Sequence, residues 1–391
     1  MNTFIDSSME RRVLLRGAGA LFASASLGLG ANAAPAQTGM SKTESAPSSR
    51  PSQSADALRK GMIGFMLGHE QFCVPELLDF GAAAEQAGFD LLATSDHFQP
   101  WQDNQGHSGA AWSMLGALSQ RTQRAWIGPT VTCPILRYHP AVVAETFATL
   151  SALAPGRVFL GVGSGEALNE QAATGSWPRW PERWERLVEA ATVIRALWKG
   201  ETVRHHGKHY RVEGKLYDPP VRPIPLLMAA NGPKAMKLAG AHGDGLITDP
   251  MTWKEHRGEF IAGAQSAGKN PADMPVLIET FVVVGDQLEV EHAAQLWRFI
   301  PKAFKGYHAI PDPVEIQRRA VQEIPLPKVH ADWPKGTDPA VHIKAVEELF
   351  AQGATIVNIH AGQNDQRRVI EFYGREVLPK VRRNATAGSQ A

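Results

Sequence analysis

Phe89-Asp90-Leu91-Leu92-Ala93-Thr94 runs directly into Ser95-Asp96-His97-Phe98-Gln99-Pro100-Trp101. The first six residues, apolar but for Asp90 and Thr94, read as a buried strand. The next seven place a carboxylate, an imidazole and an indole just past the strand's carboxyl end, and Pro100 forbids the strand from continuing. In a barrel of parallel strands, that end is where chemistry collects.

The same pattern recurs on both sides. Short apolar strands are predicted at 62–67, 89–94, 125–132, 158–162, 225–229, 245–248, 276–284 and 355–360. Amphipathic helices fall between them. Residues 75–88 carry Leu77, Leu78, Phe80, Ala84 and Ala87 at helical spacing. Residues 182–198 carry Leu187, Val188, Ala191, Ile194, Leu197 and Trp198. Alternating strand and helix means a parallel sheet. Eight such units over about 320 residues fit an α/β (β/α)8 TIM barrel with insertions better than an open sheet. Two insertions stand out: a hairpin over 202–213 turning at Gly207, and a long, Pro-rich, irregular loop over 306–338 suited to a lid or a substrate-facing wall.

Polar residues gather at strand ends of one sense. Glu70 follows the first strand, and Asp96 and His97 the second. Thr130, Cys133 and Arg137 lie at or past the third, Glu166 and Asn169 past the fourth. Asn231 and Gly232 follow the fifth, and Asp249 the sixth. Taken singly, Asp96 reads as a turn cap, His97 as a rim histidine and Glu166 as a solvated loop charge. A barrel brings all of these ends to one mouth, and together they read as a site. Gly161, Gly163 and Gly165 lack the spacing and the acidic ribose partner of a dinucleotide fingerprint, and are expected to let backbone approach a flat ring. Ala229-Ala230-Asn231-Gly232-Pro233 opens a helix straight after a strand, a ready phosphate seat. His205, His206 and His209 fall on the exposed hairpin without evident carboxylate support, so no metal is expected.

Of the 391 residues, 43% are hydrophobic and the net charge is +1, with no basic block after the N-terminus. Nucleic acid is therefore excluded as a partner. Cys73 and Cys133 make neither a disulfide framework nor a zinc site. Ten Trp point to aromatic-lined pockets.

The N-terminus reads as a targeting segment. Arg11-Arg12 precedes a weakly apolar, Gly- and Ala-rich stretch and then Ala31-Asn32-Ala33 or Ala34-Pro35-Ala36, both small-x-small cleavage patterns. The arginine pair points to the twin-arginine route, with its translocase as a transient partner and the periplasm or envelope as destination. Expected organisation is a signal peptide over 1–36, a polar linker over 37–59, the barrel over 60–383 and a tail over 384–391.

Residues 61–383 resemble the luciferase-like oxidoreductases that use coenzyme F420. Ser95 to Trp101, Gly161-Val162-Gly163-Ser164-Gly165-Glu166-Ala167-Leu168-Asn169-Glu170 and Ala229 to Pro233 look like signatures of the F420-dependent glucose-6-phosphate dehydrogenase group. Trp101-Gln102-Asp103-Asn104, Val131-Thr132-Cys133-Pro134-Ile135 and Gly336-Thr337-Asp338-Pro339 resemble its twin-arginine-exported hydroxymycolic acid dehydrogenase branch. The resemblance implies that Asp96, Thr130, Val131, Cys133, Asn169, Asn231 and Gly232 hold the deazaflavin, with a non-proline cis peptide at Thr130–Val131. It implies a catalytic group of His97, Glu166, Glu70 and Trp101. Where sugar-phosphate enzymes of the group carry two Lys and one Arg, this chain carries Thr252, Tyr307 and Asp332, with Lys254, Lys302 and Lys305 nearby. A phosphate dianion wants charge-assisted donors, and an Asp repels it. The expected activity is hydride transfer between F420 and a small-molecule or lipid secondary alcohol, by a homodimer. The alternatives are a glucose-6-phosphate dehydrogenase, an FMN-dependent monooxygenase on the same barrel, or an exported cofactor binder without catalysis.

Overall fold

The computed structural model describes residues 57–388. The expected signal peptide and residues 37–56 of the expected linker lie outside the described residues, as do residues 389–391.

Among the described residues there are ten strands: β1 (Met62–Leu67), β2 (Leu91–Thr94), β3 (Trp126–Pro129), β4 (Leu160–Val162), β5 (Val203–His206), β6 (Arg211–Gly214), β7 (Leu226–Ala229), β8 (Gly245–Thr248), β9 (Val276–Val282) and β10 (Ile356–Ala361). Eight of them form one sheet in the order β3-β2-β1-β10-β9-β8-β7-β4. Every pairing within it is parallel. Parallel bridges Ile127↔Val158 and Thr132↔Val162 join its two edges, so the sheet closes into the expected barrel. The ladder of the third strand stops at Pro129, which has no N–H to donate, and resumes only at Thr132.

Strand periodicity sorts the core. Met62, Met66, Leu91, Ala93, Trp126, Phe159, Leu227, Ile247, Leu277 and Ile356 pack together as the barrel's filling. Their neighbours Ile63, Phe65, Leu67, Leu92 and Ile127 turn outward into the larger cluster shared with the helices. The first helix, Val74–Ala87, buries Leu77, Gly81 and Ala84 and is ended by Gly88 at φ 107, a left-handed position that suits glycine. Truncating a filled position such as Phe159 to Ala would cost about 3–5 kcal/mol.

The hairpin forms as expected: β5 and β6 pair antiparallel, and Gly207 N–H donates to Tyr210 C=O at 2.9 Å. The Tyr210 hydroxyl reaches Pro134 C=O at 3.1 Å and Ile135 C=O at 3.0 Å, tying the hairpin to the loop after β3.

The stretch 306–338 is not irregular throughout. Helix Pro313–Glu323 occupies its middle and Leu326–Val329 follows. The signs were local: Asp312 caps the Val314 N–H at 2.9 Å, Pro313 takes the first turn, and Ile316 and Ala320 are buried one turn apart. Ile316 and Ala320 pack in one cluster with Trp101, Phe299 and Tyr307. The last helix, Leu378–Gly388, runs past residue 383, the expected end of the barrel domain.

Candidate active site

Three residues past β1, Glu70 is buried at 3% exposure. Its Oε2 accepts the Ser95 hydroxyl at 2.6 Å, and its Oε1 lies 3.5 Å from His97 Nε2. Burial pushes the Glu70 carboxyl up, but the facing His97 and the Ser95 hydroxyl outweigh it and hold the group below its usual range. His97 Nδ1 lies 3.0 Å from the Gln99 carbonyl. A carbonyl only accepts, so Nδ1 carries hydrogen and Nε2 is the working nitrogen. The Trp101 ring, 5.7 Å from the His97 ring, stacks on Phe299 at 4.5 Å and 12°. Ser95, His97 and Trp101 all belong to the stretch after β2, so one strand end and one neighbour assemble a base, its carboxylate and an aromatic wall.

Asp96 is paired within the protein. Its carboxylate accepts Thr132 Oγ1 at 2.7 Å, Arg137 Nη2 at 3.1 Å and the Tyr138 hydroxyl at 3.2 Å, and its side chain is 1% exposed. A buried carboxylate must be paired, and here three side chains pair it. Arg137 joins it to Glu170: the Arg137 N–H donates to Glu170 Oε2 at 2.8 Å, and its Nε stands 3.6 Å from Oε1. Burial pushes Glu170 up to about 7, with Glu166 and Asp96 adding to the rise and Arg137 opposing it.

Asn169 is 2% exposed, in the helix Ala167–Thr174 that follows β4. Its Oδ1 accepts the Phe98 N–H at 2.8 Å and its Nδ2 donates to Glu166 Oε2 at 3.2 Å. It therefore links Glu166 to the loop that carries His97. Cys133 is also turned inward, 5% exposed, with its thiol pushed well up by burial and by Glu170 and Glu166.

The peptide Thr130–Val131 is cis, as the resemblance implied. Thr130 Oγ1 donates to Glu279 Oε2 at 3.4 Å. The three glycines sit close against their protein neighbours. A Cβ on Gly161 would stand 2.1 Å from Pro129 C=O, and one on Gly163 2.6 Å from Val131 Cγ2. One on Gly165, at φ +74, would stand 2.6 Å from Cys133 Sγ. These glycines make room for the neighbouring strand and its extension. Asn231 is exposed, and Gly232 begins the helix Pro233–His242 without any side chain capping it. The first N–H groups of that helix stay available to an anion.

Other groups emerge that the strand-end reading did not single out. Glu279 on β9 accepts His360 Nδ1 at 2.9 Å and Asn358 Nδ2 at 3.2 Å, both from β10. His360 is the last residue of the predicted eighth strand, so the same strand-end rule pointed to it. His308 and Arg183 lie near Glu166: burial and Arg183 hold the His308 imidazole below its usual range, and Glu166 opposes them. The hairpin histidines do have carboxylates, His205 with Glu189 at 3.0 Å, His206 with Glu213 at 2.7 Å and His209 with Glu185 at 3.4 Å. Among the described residues, no group of three His, Cys, Asp or Glu could hold a metal ion.

The positions set against sugar phosphate are occupied otherwise. Thr252 Oγ1 donates to Asp249 Oδ2 at 2.6 Å as part of a helix cap. Tyr307 is buried and Asp332 exposed. Lys302 pairs with Glu323.

The closed parallel barrel and the polar residues gathered at its strand ends define an α/β-barrel enzyme scaffold. Residues 60–353 match the model of the luciferase-like monooxygenase family, and the chain belongs to that family. It is 45% identical over 358 residues to an F420-dependent hydroxymycolic acid dehydrogenase of Mycobacterium tuberculosis, covering 91% of this chain and 96% of that one. It is 38% identical over 328 residues to an F420-dependent glucose-6-phosphate dehydrogenase of Microbacterium testaceum, covering 82% and 97%. Among solved structures, an F420-dependent secondary alcohol dehydrogenase in complex with an F420-acetone adduct superposes with a TM-score of 0.78 at 34% identity, covering 82% of this chain and 99% of that one.

Proposed function

We propose that this chain is an exported oxidoreductase that moves a hydride between coenzyme F420 and an apolar secondary alcohol. The observation that carries the reading is His97 Nε2 beside the Glu70 carboxylate, with Trp101 stacked on Phe299 alongside. Relatives named as F420-dependent dehydrogenases support the cofactor. The structure fits such a group: the uncapped start of the Gly232 helix offers N–H donors to its phosphate.

When bound, the deazaflavin supplies the two-electron acceptor. The protein's own part is orientation and proton handling. His97 takes the hydroxyl proton at Nε2 as the C–H bond gives up its hydride. Glu70 stabilises the imidazolium that results, and the Gln99 carbonyl keeps the ring in that orientation. Glu166, held by Asn169, would be the acid–base group on the cofactor's side when the deazaflavin is bound. Trp101, Phe299 and the half-exposed Phe304 give the alcohol an apolar wall. Capping of Thr252, pairing of Lys302 and the acidic Asp332 argue against a sugar phosphate. Arg11-Arg12 and the segment behind it support export, and a homodimer remains the proposed assembly.

Absorbance and mass of the chromophore carried by protein purified from the periplasm test the cofactor and the export together. Titration with F420 and FMN, followed by an alcohol panel with glucose 6-phosphate included, tests the chemistry. Reduction of F420 by apolar secondary alcohols and not by glucose 6-phosphate is expected. Tight FMN binding with none of F420 would assign the chain to the monooxygenases instead.

A further inference from the structure

The mouth holds a second imidazole–carboxylate pair that faces the first. His360 and Glu279 come from β10 and β9, on the far side of β1 from β2 and its His97 loop. His360 Nδ1 is bound to Glu279 Oε1 at 2.9 Å, which leaves Nε2 as its free nitrogen. The ring is fixed from two sides, stacked on Phe281 at 4.0 Å and met edge-on by Trp297 at 4.5 Å. Between His360 and Glu70 stands Gly68. A Cβ there would lie 3.6 Å from Glu70 Oε2 and 3.7 Å from His360 Nε2, so both atoms face one small gap left by a residue without a side chain. On the other side of the carboxylate, Glu70 Oε1 faces His97 Nε2.

The Glu70 carboxylate therefore feels two imidazoles, His97 directly and His360 more weakly across the gap. We propose that the His360–Glu279 pair is a positioning device that shares Glu70 with His97 and sets how firmly His97 holds a proton. When His360 is protonated, it draws on the same negative charge that would stabilise a His97 imidazolium. Glu279 faces His360 directly, Oε1 to Nδ1. The other charged or titratable groups around the pair are His69 beside Glu70, and Asp96 with its Arg137. Asp96 is already matched by Arg137, which leaves Glu70 as the carboxylate that both rings share.

The inference rests on His97 and Glu70 as the proton-handling pair, but its test needs neither cofactor nor alcohol. Histidine ring resonances of the cofactor-free protein, followed by NMR against pH, give the His97 midpoint. His360→Gln is expected to raise that midpoint by about one pH unit, because the competing cation is gone. Glu279→Gln keeps the shape of its side chain and removes only its charge. It is expected to make His360 release its proton at lower pH and to move His97 upward as well. A folded His360→Gln protein with an unchanged His97 midpoint overturns the proposal. If His360→Gln does not fold, an unchanged His97 midpoint in Glu279→Gln overturns it equally. Failure of the alcohol panel would instead count against the functional reading and leave these midpoints where they are.

Discussion

Asn169 Oδ1 accepts the backbone N–H of Phe98 at 2.8 Å, so a helix following β4 holds the loop following β2. The same side chain reaches Glu166 at 3.2 Å. Asn169→Ala leaves a partly buried N–H without its partner. A stability loss of about 1–3 kcal/mol is expected in urea unfolding, with a fall in turnover as the His97 loop loses its anchor. Unchanged stability and turnover would show that the anchor is dispensable.

His97→Ala removes the proposed base and leaves the helix start at Gly232 untouched. Turnover should fall by about 10²–10⁴ while F420 affinity stays close to that of the parent. Steady-state kinetics and a fluorescence titration separate the two quantities. Parent-like turnover would take His97 out of the mechanism.

Glu170 ties folding to pH. Its carboxyl is raised to about 7 in the fold, chiefly by burial, against about 4.3 in an unfolded chain. A raised carboxyl binds more protons folded than unfolded across that window. Its contribution to stability is thus full below about 4.3 and lost as pH rises through about 7. Glu170→Gln should flatten the decline, so that unfolding free energies at pH 5.5 and pH 8 lie closer together than in the parent. An equal or steeper decline in the variant would refute the assignment.

Gly161→Ala would drive a methyl to 2.1 Å from the Pro129 carbonyl, which is backbone and cannot swing aside. Destabilisation of at least about 1–3 kcal/mol is expected. Gly232→Ala meets nothing within 4 Å and serves as the comparison in thermal melts. Equal melting temperatures for the two variants would contradict the close approach.

The sequence carried the barrel because strands and helices bury their faces with different periods. Strands β1 and β8 fall at the predicted residues, and the others differ mainly at their ends, where ladders stop for reasons such as Pro129. The helix Pro313–Glu323 escaped because prolines around it resembled loop punctuation, although Asp312 and Pro313 spell a helix start. At the site, strand ends told which residues meet but not which way they point. Asp96 and His97 are adjacent, yet Arg137 pairs with one and Glu70 faces the other. Likewise, Gly161 and Gly163 announced a close approach without saying to what. The pairing of Glu279 with His360 depends on register between β9 and β10, where Asn358 stands opposite Glu279, and no local pattern encodes register.

The joint between β3 and β4 has a consequence for motion. Elsewhere the barrel is laced by continuous ladders, but here isolated bridges at Val158 and Val162 do the closing. On one side stands the Thr130–Val131 peptide, on the other the run from Gly161 to Glu166. A hoop opens at its thinnest weld, so the Thr132 and Gly163 amides should exchange with solvent sooner than those of β1 or β10. A ligand spanning both sides acts as a clasp, and slower exchange at those two amides would report its arrival before any chemistry begins.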